Sequence, residues 1–156
     1  NLGDDVLYSG TVGAAMGGRF IDVPCLAISI VHRKPIHLNT AVEVAHNLVK
    51  FLIKNPNVPA KTLNVNIPDI PFENIRGYAI TRLGKRSVPD LFKPDKDLFG
   101  ENVYWLGPPP PPKDGSEGTD FFAVEHDCVS ITPLISDFTE HSVGKDLQEW
   151  IDGQLL

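Results

Sequence analysis

The sequence predicts an α/β fold, a mostly parallel sheet flanked by helices, and three successive segments carry that prediction. Cys25-Leu26-Ala27-Ile28-Ser29-Ile30-Val31 is almost continuously apolar, as a strand buried on both faces would be. From Thr40 to Lys54, residues Ala41, Val44, Ala45, Leu48, Val49, Leu52 and Ile53 fall at the i, i+3, i+4 spacing of one helix face. Leu63-Asn64-Val65-Asn66-Ile67 alternates as a strand does and is cut by Pro68. Strand, helix and strand in succession are the repeating unit of an open parallel sheet.

Taken in order, Asn1 to Tyr8 is a short lead-in. Ser9, Gly10 and Thr11 stand before Val12-Gly13-Ala14-Ala15-Met16, whose small residues predict a helix packed tightly on its neighbour, with Gly17 and Gly18 ending it. Pro24 opens the first strand. Asn39 is the expected N-cap of the long helix, and Asn55-Pro56-Asn57 stops it. So few strands would leave long unpaired edges, so the chain reads as beginning inside a sheet. After Pro71 the texture changes. Tyr78 to Leu83 and Val103 to Leu106 are strand-like, around a charged, Pro-containing stretch, and together predict a protruding β-hairpin. Pro108 to Pro112 predicts a stiff polyproline segment. Val129-Ser130-Ile131-Thr132-Pro133-Leu134 is a final strand, and Thr139 or Ser142 is expected to cap a C-terminal helix bearing Val143, Leu147, Trp150 and Ile151. The expected organisation is one domain, apparently truncated. It has an α/β core over 1–70, a hairpin arm over 71–112, a last core strand region over 113–138, and a C-terminal helix over 139–156.

Composition narrows the function. The 156 residues hold 14 Lys and Arg against 20 Asp and Glu, a formal charge of −6, with no basic stripe. Polymeric nucleic acid is therefore not an expected partner, because that binding depends on neutralising phosphates. No run approaches the ~18 apolar residues of a membrane span, and no signal segment opens the chain. Cys25 and Cys128 stand alone and read as reduced core thiols of a cytoplasmic protein. A start at Asn1 rather than Met reads as a processed product or a piece of something larger.

The strongest chemical signal is Tyr8-Ser9-Gly10-Thr11 feeding a small-residue helix. A first helical turn presents unpaired N–H groups and partial positive charge. Hydroxyls and a glycine placed there can hold a phosphate, or can simply cap the helix. Other candidates read as structural. Asp4-Asp5 are expected to be exposed turn residues. Glu43 and His46 form an E-x-x-H pair but lack the second copy and extra Glu-bearing helices of a di-iron bundle. Glu125-His126-Asp127-Cys128 would divide between the two faces of a strand, so a polar turn explains them. No hydrolase triad motif is present.

Asn1-Leu2-Gly3-Asp4-Asp5, Tyr8-Ser9-Gly10-Thr11-Val12, Asn64-Val65-Asn66-Ile67-Pro68, Thr81-Arg82-Leu83-Gly84, Gly118-Thr119-Asp120-Phe121 and Val129 to Leu134 occur in that order. This set closely resembles the C-terminal portion of the SurE family, stationary-phase survival proteins that are metal-dependent 5′/3′-nucleotidases. The resemblance covers essentially the whole chain. It implies a Rossmann-like core, with a β-hairpin and a C-terminal arm exchanged between subunits of a homodimer or homotetramer. It also implies phosphomonoesterase activity on nucleoside monophosphates, with Mg²⁺ or Mn²⁺ as cofactor. The family's phosphate-contacting residues fall on Asn1, Ser9, Gly10 and Thr11. Its metal ligands lie upstream of the position matching Asn1, so the resemblance assigns no metal ligand and no catalytic residue within this chain. By itself the chain is then expected to be inactive. Asn39 stands where the family usually has Asp, and Asp127-Cys128 where it has Gly-Tyr. The competing reading is a non-catalytic phosphate-binding or oligomerisation module.

Overall fold

The structure is a computed structural model that describes every residue except 22, 60, 88–91, 106–109 and 156. Its elements are α1 (Gly10–Gly17), β1 (Cys25–Val31), α2 (Leu38–Lys54), β2 (Thr62–Pro68), β3 (Gly77–Ile80), β4 (Lys85–Arg86), β5 (Lys93–Lys96), β6 (Asn102–Trp105), β7 (Pro112–Asp114), α3 (Asp120–Glu125), β8 (Cys128–Leu134) and α4 (Gly144–Leu155). Short 3₁₀ turns cover Gly3–Tyr8, Gly18–Ile21 and Phe72–Asn74.

The α/β class expected from sequence is the one observed. Four strands form the central sheet in the order β1-β2-β8-β3. β1 runs parallel to β2 and β3 parallel to β8, while β2 and β8 are antiparallel. β2 lies inside the sheet, and all seven of its residues are buried. Because side chains alternate along a strand, its two faces divide cleanly. Leu63, Val65 and Ile67 pack with Val44 and Leu48 of α2 and with Val129 and Ile131 of β8. On the opposite face Ala27 of β1 packs with Val12 and Ala15 of α1, and Asn64 and Asn66 share that side of β2. Helices thus cover both faces, as a sheet with buried central strands requires.

The long helix begins two residues earlier than the sequence suggests. Its N-cap is His37, not Asn39, which is exposed in the first turn. Asp69, just beyond β2, accepts the backbone N–H groups of Ile36 and His37 at 2.8–3.2 Å. These bonds anchor the residues that lead into the helix, and no side chain caps its first turn. Gly18 caps α1 with an ordinary right-handed φ of −63°. It is small because β1 comes close there: a Cβ would sit 2.0 Å from Cys25 Sγ.

The arm also differs from its expected composition. Tyr78–Ile80 does not belong to it; that strand pairs in parallel with β8, because the central sheet offers it Val129 to Ile131 as a ladder. The arm strands observed are two antiparallel ribbons, β4 with β7 and β5 with β6. Leu106, Pro108 and Pro109 fall outside the described residues, and Pro112 lies in β7. Asp127 adopts a left-handed φ of 61° in the turn before β8. Neither cysteine is disulfide-bonded, and both are partly exposed rather than in the core.

Candidate functional site

The residues singled out at the chain start meet above the polar side of the sheet. Ser9 has extended backbone ahead of α1, and its Oγ accepts the Val12 N–H at 3.1 Å, a standard cap. The same hydroxyl donates to Asn1 Oδ1 at 2.6 Å. Asn1 and Ser9 are therefore one hydrogen-bonded unit. Gly10 and Thr11 follow directly as the exposed first residues of α1, and helix geometry leaves their N–H groups without intrahelical acceptors.

Asn1 is held from below by two strand residues whose roles sequence reasoning missed. Asn66 Oδ1 accepts from the Asn1 main-chain nitrogen, the terminal ammonium of this chain, at 3.0 Å, and Asn66 Nδ2 donates to the Asn1 carbonyl at 3.2 Å. Asn64 Nδ2 donates to that carbonyl at 2.8 Å. Both asparagines are fully buried. The register places Thr132 opposite Asn64 and Ser130 opposite Asn66, and the Thr81 hydroxyl lies 2.9 Å from Ser130 and 2.7 Å from Thr132. A band of buried polar side chains thus crosses the sheet. The signal was present in the sequence: amides two apart in an otherwise apolar strand must share a face.

Asp120 was also missed. It is fully buried, and its carboxylate accepts the N–H groups of Gly3 at 2.7 Å, Gly84 at 2.9 Å and Phe121 at 3.0 Å. It ties the turn that leads to Ser9 onto the loop after β3. Asp4 and Asp5 are not the free turn residues expected. Asp4 accepts the Arg86 N–H at 2.9 Å, and Asp5 accepts from Arg86 Nε and Nη2 at 3.0 and 2.8 Å. The Arg86 guanidinium lies over the Phe121 ring. Nearby, the Arg82 guanidinium bonded to Asp114, with help from Ser116, holds that carboxyl far below its usual range.

The remaining sequence candidates stay apart from this site. Glu43 and His46 are exposed on α2. His126 stacks on Phe122, and its Nδ1 lies 2.8 Å from the Phe122 carbonyl. Among the described residues no three His, Cys, Asp or Glu side chains converge as a metal site. The carboxylates nearest Asn1 are already engaged by Arg86 and by backbone N–H groups, so the residues present do not fit a divalent ion. Beside Ser9 a cavity of about 780 Å³ follows α1, walled by Val12, Met16, Leu83, Leu134 and Phe138, with Arg82 also on its lining.

Comparison with known proteins places the chain in a family. The family model "Survival protein SurE" matches residues 1–90. A protein named 5′-nucleotidase SurE from Aliivibrio fischeri is 47% identical over 151 residues, covering 97% of this chain and 58% of its own length. That of Halorhodospira halophila is 44% identical over 154 residues, covering 98% and 61%. The crystal structure of the SurE protein from Aquifex aeolicus superposes with a TM-score of 0.76 at 35% identity, over 96% of this chain and 60% of that one. The chain belongs to the survival protein SurE family. It spans about three-fifths of the length of the relatives it matches.

Proposed function

We propose that this chain supplies the phosphate-binding side of a nucleotidase site, with Asn1, Ser9, Gly10 and Thr11 as the phosphate contacts. The observation that carries the reading is the Ser9–Asn1 pair set at the open first turn of α1. The N–H groups of that turn and the Thr11 hydroxyl can donate to phosphate oxygens, and the helix dipole favours the negative charge. As charge grows on those oxygens during P–O cleavage, donors already fixed in place stabilise it without reorganising. The adjoining cavity is within the ~300–1,000 Å³ range of small-molecule sites, and its apolar walls suit a nucleoside body. The substrate class is then a nucleoside monophosphate or a similar small phosphomonoester.

Under the same proposal Mg²⁺ or Mn²⁺ is the cofactor, held by ligands outside this chain. The assembly is a cytoplasmic homodimer or homotetramer in which the arm ribbons, from β4 to β7, and the 139–156 helix exchange between subunits. Exposed Tyr104, Trp105, Leu147 and Trp150 on those segments support that exchange. No helix among the described residues is long and apolar enough to cross a membrane.

The test is Mn²⁺-dependent phosphate release from 5′-AMP by the full-length protein, with an EDTA control, repeated on the 156-residue chain alone. Chelator-sensitive turnover by the full-length protein and none by the chain alone is the expected result. No turnover by either sample would favour the non-catalytic module.

A further inference from the structure

We infer that Asn66, with Asn64 beside it, is a positioning residue: it holds the Asn1 peptide so that the Asn1 amide and Ser9 hydroxyl stay aligned at the phosphate site. This rests on the proposed phosphate site. The geometry is unusual for a strand that serves only the fold. β2 is buried along its whole length, and its other face is filled by Leu63, Val65 and Ile67. Two buried amides carry a desolvation cost that apolar side chains would avoid.

Those amides bond to the backbone of one residue. Asn66 grips it through both its oxygen and its nitrogen, and Asn64 adds a second donor to the same carbonyl. The Asn1 side chain is then left to Ser9. Its Oδ1 accepts from the Ser9 hydroxyl, while its Nδ2 is buried without a hydrogen-bond acceptor. The other unpartnered buried side-chain polar atom among the described residues is Asn64 Oδ1, in the same cluster. Buried polar groups in folded proteins are nearly always paired, with protein or with water.

The experiment compares Asn66→Leu with Val65→Ala in the full-length protein. Val65 neighbours Asn66 on the strand but faces α2, so its truncation lowers the melting temperature without touching Asn1. Inorganic phosphate is the probe, titrated calorimetrically, and KM for 5′-AMP is measured in parallel. Asn66→Leu is expected to raise both constants about tenfold, the equivalent of about 1.4 kcal/mol. Val65→Ala should leave them within about twofold, a difference below 0.5 kcal/mol, despite its lower melting temperature. Equal shifts in the two variants would overturn the inference, because Asn66 would then act through stability alone. Should Asn66→Leu fail to fold, Asn64→Ser removes one donor and leaves both Asn66 bonds, and it must weaken phosphate more than Val65→Ala does. Asn1→Ala and Ser9→Ala separate the two levels. If they leave phosphate affinity unchanged, the phosphate site itself is wrong; if they weaken it while Asn66→Leu does not, only the positioning role is.

Discussion

Gly3 donates its backbone N–H to the Asp120 carboxylate at 2.7 Å, joining residues 117 positions apart at a point where both are buried. Gly3 has a left-handed φ of +57°, and a Cβ there would sit 2.6 Å from the Phe121 ring and 2.8 Å from the Gly84 carbonyl. Only glycine lets the turn come this close. Asp120 then fixes both glycines, since its other oxygen accepts the Gly84 N–H. Asp120→Ala leaves three buried N–H groups without acceptors and should cost about 3 kcal/mol or more of stability. Asp120→Asn keeps one carbonyl oxygen and should cost less. Urea unfolding of the full-length protein checks the order. A loss under about 1 kcal/mol for Asp120→Ala would show that the clamp does not hold the turn.

If the proposed phosphate site holds, Thr11→Ala in the full-length protein should lower turnover of 5′-AMP more than Glu43→Ala. Thr11 opens α1 beside Ser9, whereas Glu43 is exposed on α2 and outside the Asn1–Ser9 cluster. A lost hydrogen bond to a charged phosphate oxygen corresponds to about 1.5–3 kcal/mol, or roughly ten- to a hundredfold in rate. Equal rates for the two variants would remove Thr11 from the site.

The elements that local pattern determines were readable in the sequence. β1 follows from an almost continuous apolar run, α2 from its helical spacing, and the turn before β8 from the polar stretch Glu125 to Cys128. What was hidden is non-local. Asn39 has the chemistry of an N-cap, but the helix starts at Leu38, after a lead-in whose Ile36 and His37 N–H groups bond to Asp69 from beyond the end of β2. Tyr78–Ile80 looks like part of an arm until β8, nearly fifty residues later in the chain, supplies its parallel ladder. Ser9 announced itself by position, and its bond to Asn1 could not, because nothing local says that the two chain segments fold back within 2.6 Å. Asp4 and Asp5 look solvated for the same reason: Arg86 lies 81 residues beyond Asp5.

The approach of α1 to β1 gives a test that needs no substrate. A methyl at Gly18 would lie 2.0 Å from Cys25 Sγ but 3.2 Å from its Cβ. Gly18→Ala should therefore destabilise the protein, and Cys25→Ala, which removes the sulfur and keeps the Cβ, should relieve the clash. Neighbouring sites couple by about 0.5–3 kcal/mol, so a double-mutant cycle in thermal or urea unfolding should return a favourable coupling in that range. Simple additivity would mean that the helix end shifts away from the strand instead.

Acid should reveal the ion pair at the base of the arm. Asp114 accepts from Arg82 Nη1 at 2.7 Å and from the Ser116 hydroxyl at 2.7 Å. The Arg82 bond, then the Ser116 hydroxyl and backbone N–H, hold its carboxyl below the ordinary value of 3.8. A carboxyl depressed in the folded state adds stability above its unfolded pKa and loses it as pH falls through the folded pKa. Its contribution is therefore complete at neutral pH, begins to fall as pH drops below about 4, and is gone only below the depressed folded-state value. Asp69 titrates in the same direction: burial pushes it up, and the N–H groups of His37 and Ile36 with the His37 ring more than reverse that. Asp114→Asn should leave the Asp69 component in place and reduce the steepness with which stability falls below pH 4, by at most about one proton. Stability measured by urea unfolding at pH 7, 4 and 3 tests this. An unchanged acid slope in Asp114→Asn would show that Arg82 does not hold the carboxylate in solution.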